Sequence, residues 1–112
     1  MNQDTGTIEK GEPFHLSDNI SYAIGSVASK TLLKKESGNI TLFSFEQGQG
    51  LSEHTAPFDA VVLILDGTAE ITISGTAKTV EEGELLIMPA NVPHALQAVE
   101  RFKMLLVMIK SQ

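Results

Sequence analysis

The chain of 112 residues contains no cysteine. This absence excludes disulfide bonds, thiolate metal sites and a cysteine nucleophile. Tryptophan is also absent, and aromatic residues make up only 5% of the sequence. The core is therefore expected to be aliphatic, built from Leu, Ile, Val, Met and a few Phe. The length suits one domain and is too short for two.

Basic residues are few and scattered. Eight Lys and Arg stand against 14 Asp and Glu, the net charge is −6, and the densest basic cluster is the pair Lys34-Lys35. Binding of nucleic acid requires a basic face, so we expect no such partner. No apolar run is long enough to span a bilayer, and the polar N-terminus has no apolar signal core. These absences predict no membrane partner and a cytoplasmic location.

Three glycines recur at eight-residue intervals, at Gly67, Gly75 and Gly83, with apolar segments between them. Regular turns at this interval predict short antiparallel strands. The dipeptide Asp66-Gly67 is among the strongest short-range signals for a hairpin. No segment has a helical period longer than two turns, so the fold class is predicted to be all-β.

The organisation along the chain is that of one domain. Residues 1–13 are polar with Gly and Pro breaks and are predicted to be a flexible lead-in to a single domain over residues 14–112. Short strands are predicted within residues 14–35, and a loop over residues 47–50. The remaining predicted strands are 40–46, 60–65, 70–74, 78–80, 85–88, 94–99 and 103–109.

Two predicted strands are apolar on both faces. The runs AVVLIL, from Ala60, and MLLVMI, from Met104, place large side chains at odd and even positions. Alternate residues of a strand point to opposite faces, so half of these side chains cannot lie in the core. We expect a second copy to cover them in a two-fold homodimer. The alternative is that loops or the N-terminal segment cover the outer face.

A motif near the C-terminal half resembles the second motif of the cupin superfamily. The family pattern runs Gly, five residues, Pro-x-Gly, two residues, His, three residues, Asn. Here Gly83 precedes ELLIM, and Pro89, Asn91 and His94 follow at the family spacing. Asn91 replaces a glycine, a tolerated change because Asn also adopts positive φ. Ala98 replaces the family's Asn.

The first cupin motif is present but depleted. His54 matches its first histidine, and Gly67 lies at the distance of its last glycine. Ala56 occupies the place of the second histidine, and Ala60 that of the glutamate. The resemblance covers about residues 40–110. It implies a double-stranded β-helix, or RmlC-like jelly-roll barrel, with His54 and His94 directed into a shared pocket.

Metal-binding cupins hold their ion with three histidines and one glutamate, and only His54 and His94 of that set remain here. Stable transition-metal sites normally use at least three protein ligands, so no tightly bound metal is expected. The alternative is a divalent ion that the two histidines and water hold weakly. Asp59 would have to rotate inward to help, and Glu53 and Thr55 are out of phase with His54. Gln49 and Gln97 are weak candidates.

Other polar and sulfur-containing residues are given structural roles. Met88, Met104 and Met108 lie on apolar strands and are predicted to fill gaps in the core, although Met88 could line the pocket. His15 matches no motif. The acidic pair Glu81-Glu82 is interpreted as a solvated turn.

The leading functional hypothesis is binding of a small molecule in an apolar barrel pocket lined by His54, Ala56, Ala60, Met88 and His94, without a tightly held metal. The second is a cupin enzyme. It would use His54 and His94 as acid and base in isomerase or epimerase chemistry, or a metal in a dioxygenase or decarboxylase reaction. The third is an accessory dimer with a vestigial pocket. The sequence does not name the ligand.

Overall fold

The computed structural model describes residues 8–110. The fold is all-β, as predicted, apart from one short 3-10 turn at Ser17–Asn19. The eight strands are β1 Val27–Lys35, β2 Gly38–Phe45, β3 Gly50–His54, β4 Phe58–Ile73, β5 Thr76–Glu81, β6 Leu85–Met88, β7 His94–Gln97 and β8 Phe102–Lys110. Residues 1–7 of the predicted lead-in lie outside the described residues. No helix in the described part is long and apolar enough to cross a membrane.

Two curled antiparallel sheets form a jelly-roll barrel and share strand β4. The first sheet has the order β1-β2-β8-β4-β6, and the second has the order β3-β7-β4-β5. The first half of β4 pairs with β6 and β8. Its second half pairs with β5 and β7.

The predicted hairpin at Asp66-Gly67 is wrong. The chain does not reverse there; β4 continues for 16 residues and bends, with a register shift against β8 between Ile64 and Asp66. Gly67 has φ of 77°, and a Cβ at this position would lie 2.1 Å from the backbone oxygen of Arg101. A glycine with positive φ is typical of a bulge as well as of a tight turn, and here it lets the strand pass from one sheet to the other.

The other two glycine turns occur where they were predicted. Ser74 and Gly75 both have positive φ, of 51° and 83°, in the turn between β4 and β5. Gly83 has φ of 87° in the turn before β6. Before β2 the structure has one nine-residue strand, β1, in place of several short ones. A bulge between Thr31 and Leu33 interrupts its alternation, which explains why the sequence pattern was ambiguous.

The core lies between the sheets and is aliphatic except for stacked phenylalanines. The rings of Phe45 and Phe102 are fully buried and stack with centroids 4.6 Å apart. Within this core the largest other fully buried side chains come from β4 and β8 and are Val62, Ile64, Ile71 and Met104. Each of these strands contributes alternate residues to the core, as expected for period-two packing.

The N-terminal segment, residues 8–26, lies on the outer face of the first sheet. Its apolar side chains form a second cluster with Leu32, Leu42 and Leu105. Ile8 donates a backbone hydrogen bond of 2.9 Å to the carbonyl of Leu32. The segment thus covers part of the apolar outer face of the sheet, which was the predicted alternative to cover by a second copy.

A polar contact fixes this segment to the bend in β4. The Tyr22 hydroxyl donates a hydrogen bond of 2.5 Å to the carboxylate of Asp66, and the Arg101 guanidinium lies 4.4 Å from the centre of the Tyr22 ring. Burial and the contact with Asp66 raise the pKa of Tyr22, so the phenol remains a donor.

Replacing Gly67 by Ala should destabilise the fold strongly. The added Cβ would meet the Arg101 oxygen at 2.1 Å in addition to the cost of a positive φ. Gly75→Ala is the matched control, because its φ is 83° and nothing lies within 4 Å of an added Cβ. We expect losses of about 1 kcal/mol for Gly75→Ala and about 3 kcal/mol or more for Gly67→Ala in urea unfolding. Equal losses would contradict the tight approach at the bend.

Candidate functional site

Strand pairing brings the two motif histidines together at one end of the barrel. His94 begins β7 and His54 ends β3, and the two residues are direct partners in the antiparallel register. Their rings meet edge to face with centroids 4.4 Å apart. His94 is 4% exposed, whereas His54 is exposed to solvent. The pair therefore has one member in the core and one at the mouth of the barrel.

A local hydrogen bond fixes the orientation of each ring. Nδ1 of His54 lies 2.7 Å from the carbonyl oxygen of Ser52, and Nδ1 of His94 lies 3.1 Å from that of Val92. A carbonyl oxygen only accepts, so Nδ1 must carry the proton in both rings. In the neutral rings Nε2 then bears the lone pair. The pair therefore offers two acceptors or two metal-ligating nitrogens.

A cavity of about 50 Å³ lies beneath the histidines. All five residues predicted to bind a ligand line it, namely His54, Ala56, Ala60, Met88 and His94. Five further residues that were not predicted to line a pocket complete the lining, namely Leu51, Leu96, Met104, Leu106 and Met108. Apart from the two imidazoles, every lining side chain is apolar.

Leu51 lines the cavity because of a bulge that the sequence did not reveal. Strict alternation would direct Leu51 and His54 to opposite faces. The register of β3 against β7 shifts between these two residues, which gives β3 one extra residue there. Both side chains consequently face the interior. The methionines Met104 and Met108 were predicted to be in the core, and nothing in their spacing distinguished core from cavity wall.

The other candidate ligands lie elsewhere. Asp59 does not rotate inward; its carboxylate accepts a hydrogen bond of 2.9 Å from the backbone N–H of Ala90. It is thus engaged in holding the loop before β7. Glu53 and Thr55 are exposed and absent from the cavity wall, as their phase predicted. Gln97 pairs with Gly50 and is exposed, away from the cavity.

The loop that carries the second motif has the geometry expected of it. Asn91 adopts φ of 63°, in the left-handed region that glycine occupies in the family pattern. Its N–H donates a hydrogen bond of 2.8 Å to the carbonyl of Ala56. This bond joins the two motif segments directly, and it places Ala56 beside the entrance to the cavity. His15 lies exposed outside the cavity wall.

These residues do not fit the ion of a three-histidine, one-glutamate site. Within residues 8–110 no group of three or more His, Cys, Asp or Glu side chains is placed to hold a metal. The positions of the missing ligands are occupied by the methyl groups of Ala56 and Ala60, and both face the cavity. Two imidazoles alone fall short of the usual ligand count.

The contact between the rings also bears on acid–base chemistry. Centroids 4.4 Å apart leave no room for a substrate between the two imidazoles. Proton transfer across a bound sugar or keto acid, with one ring on each side, therefore gains no support from this geometry.

Comparisons with known proteins agree with this architecture. A family model described as the Cupin domain matches residues 41–110. A protein of unknown function from Streptococcus pyogenes is 40% identical, with a TM-score of 0.90 over 99% of this chain and 97% of that one. None of the curated proteins matches the sequence.

Two further solved structures are similar. A cupin superfamily protein from Desulfitobacterium hafniense is 29% identical, with a TM-score of 0.86 over 98% of this chain and 100% of that chain. A Cupin 2 conserved barrel domain protein from Leptotrichia buccalis is 41% identical, with a TM-score of 0.84 over 87% of this chain and 47% of that one. These names give a fold and no ligand.

Restoring the two missing ligands should create a divalent metal site. In the Ala56→His, Ala60→Glu variant the buried carboxylate lowers stability until an ion pairs with it. At a Ni²⁺ or Zn²⁺ concentration one hundred times the Kd of this variant, we expect its Tm to rise by on the order of 10 °C. The Tm of the wild type should rise far less at the same metal concentration.

The control for this experiment is Thr55→His combined with Ala60→Glu, which offers three ligands instead of four and should show a smaller rise in Tm at the same metal concentration. Thr55 is exposed and outside the cavity wall, so its replacement adds a histidine that cannot join the site. Equal metal responses of the two double variants would show that Ala56 does not face the histidine pair.

Proposed function

This chain belongs to the cupin superfamily, and from that premise we propose that it binds a small neutral molecule in the cavity beneath His54 and His94. The observation that carries the proposal is the lining: apolar side chains surround one pair of oriented imidazoles. Ligand sites in proteins are commonly of this kind, with apolar walls and few polar groups that fix orientation.

The tautomers of the histidines define the polar end of the ligand. Both Nδ1–H groups face backbone carbonyls, so the neutral rings accept hydrogen bonds at Nε2. The ligand should therefore present a donor, such as a hydroxyl or an N–H group. A carboxylate would instead require protonation of an imidazole. Short alcohols and amides are the preferred class, and carboxylates, which only accept hydrogen bonds, are disfavoured by two neutral acceptors.

The size of the cavity limits the apolar part of the proposed ligand. A volume of about 50 Å³ accommodates roughly three water molecules or a short alkyl group. Larger ligands require the wall to move. Met88, Met104 and Met108 make this feasible because methionine side chains adapt their shape at low cost. The exposed position of His54 allows the mouth to widen without opening the core.

Removing either imidazole should weaken binding of a donor ligand. The probes are isobutanol and isobutyramide, with isobutyrate for comparison, measured by ligand-observed NMR at pH 8. Loss of one hydrogen bond should reduce the affinity of the first two about threefold to tenfold in His54→Ala and in His94→Ala. His54→Ala is the cleaner variant, because His54 is exposed and its loss leaves no buried void.

Two controls accompany this test. His15→Ala, outside the cavity wall, should bind like the wild type. Ala60→Val should fill the cavity, keep the fold and abolish binding. Tighter binding of isobutyrate than of isobutanol would refute the assignment of the polar group. Failure of all probes to bind the wild type would favour the vestigial-pocket hypothesis.

A second copy of the chain is the proposed partner, and the outer face of the first sheet is the proposed contact. One row of paired residues crosses four strands through Leu42, Leu105, Leu63 and Leu85. Leu42 lies under the N-terminal segment and is fully buried, whereas Leu85 at the other end is 57% exposed. The segment covers only part of the apolar face.

A parallel row repeats this gradient. It runs through Ile40, Val107, Val61 and Ile87, and Ile87 is 55% exposed. A continuous apolar face of this kind is typical of an interface between protein subunits. A two-fold axis would bring the exposed ends of the two rows against the same surface of the second copy. The cytoplasmic location of the protein is likewise a prediction.

Ile87→Lys should convert the dimer into a monomer. The lysine places a charge in the centre of the exposed apolar ends, where pairing would desolvate it. Sedimentation equilibrium measures the change. Val99→Lys is the control, because Val99 is 62% exposed but follows β7 of the second sheet. A monomeric wild type, or a dimer that survives Ile87→Lys, would contradict the proposed face.

A further inference from the structure

We infer that the cavity is also a binding site for one soft monovalent cation, Cu⁺ or its analogue Ag⁺, held by thioether sulfur and imidazole nitrogen. Met88, Met104 and Met108 all line the same cavity as His54 and His94. These are all the methionines of the chain except the first residue. Thioether and imidazole donors together select Cu⁺ over ions that prefer oxygen ligands.

Strand register places two of the methionines on either side of one alanine. Ala60 of β4 is the direct partner of Met88 on β6 and of Met108 on β8. Direct partners project from the same face, with Cβ atoms about 5 Å apart. The small side chain of Ala60 therefore leaves open space between two long thioether side chains. This is the position at which metal-binding cupins have glutamate.

Met104 supplies a deeper sulfur. It lies four residues before Met108 on β8, so the two side chains project from the same face. Its side chain is 1% exposed and belongs to the core cluster. Met88 and Met108 with the histidine pair give the primary donor set, and Met104 is placed below it.

The histidines present the right atoms for this role. The carbonyl groups of Ser52 and Val92 engage both Nδ1–H groups, which leaves Nε2 as the coordinating nitrogen. A second hydrogen bond of this kind is typical of metal-ligating histidines, because it fixes the tautomer and the ring plane. Neither bond depends on an ion being present.

The charge of the lining selects a monovalent ion. No carboxylate lines the cavity, so every donor is neutral. Burying a charge is unfavourable even in protein sites that accommodate it well, and the cost rises with the square of the charge. A divalent ion would carry this cost without a compensating anion. Hard cations such as Mn²⁺ and Mg²⁺ would additionally lack oxygen ligands.

This inference does not rest on the proposed binding of a neutral molecule. It depends on the sulfur atoms, whereas the neutral ligand depends on apolar volume and on a hydrogen-bond donor. The two occupants would share the same small space and exclude each other. Substitutions that remove sulfur but keep volume therefore separate the two proposals.

The test uses Ag⁺, which needs no reductant, in chloride-free nitrate buffer with the full chain. We expect native mass spectrometry to show one Ag⁺ per chain, and the methyl NMR signals of Met88 and Met108 to shift at one equivalent. Met88→Leu and Met108→Leu should each reduce affinity at least tenfold, and the double variant should lose stoichiometric binding. Leucine keeps the packing, since Met and Leu have similar volumes and exchange in protein cores at little cost.

Controls separate this site from adventitious binding. His15→Ala should leave the Ag⁺ affinity unchanged, and Zn²⁺ and Mn²⁺ should not bind the wild type stoichiometrically. The double leucine variant should still bind any neutral probe that the wild type binds. Absence of 1:1 Ag⁺ binding, or equal binding by the double leucine variant, would overturn the inference and leave the methionines as packing residues. If Ag⁺ binds with 1:1 stoichiometry, competition for Cu⁺ between the wild type and a Cu⁺-selective chelator tests whether Cu⁺ binds as well.

Discussion

The passage of β4 from one sheet to the other is the constraint on which the architecture depends. The bend at Gly67 brings the backbone so close to Arg101 that no side chain fits between them. Before the bend, β4 places Ala60 between β6 and β8. After the bend, it pairs Ile73 with His94 of β7, and His94 in turn pairs with His54 of β3. One continuous strand therefore fixes the floor of the cavity and the histidines above it.

The sequence predicted the fold class well because its signals were local and repeated. The turns at Gly75 and Gly83 require positive φ, and turn residues at regular spacing indicated both. Asp66-Gly67 has the same local signature but forms a bend, because the same backbone conformation serves a hairpin and a bulge. The difference lies in what the next segment pairs with, and that information is not local.

The candidate site could also be predicted only as far as local sequence patterns reach. Motif spacing identified His54, Ala56, Ala60, Met88 and His94, and the structure places all of them around one cavity. Their role in binding stays a prediction. The place of Leu51 in the cavity wall was not predictable, because the bulge in β3 breaks the two-residue period of a regular strand. Met104 and Met108 were predicted only as core residues, because a buried methionine has the same sequence pattern whether it packs on neighbours or lines a cavity.

Loss of two ligands from the family's metal site need not disorganise what remains. Each imidazole is oriented by the carbonyl of the residue two positions before it, Ser52 for His54 and Val92 for His94. These bonds form within each histidine's own chain segment, so the rings do not need an ion to keep their tautomers. The depleted site is therefore best understood as a preorganised pair of nitrogen acceptors over an apolar floor. Ala60 stands where the family pattern has glutamate, so this cavity has no negative charge at that position and is lined there by the neutral side chains of the adjacent methionines.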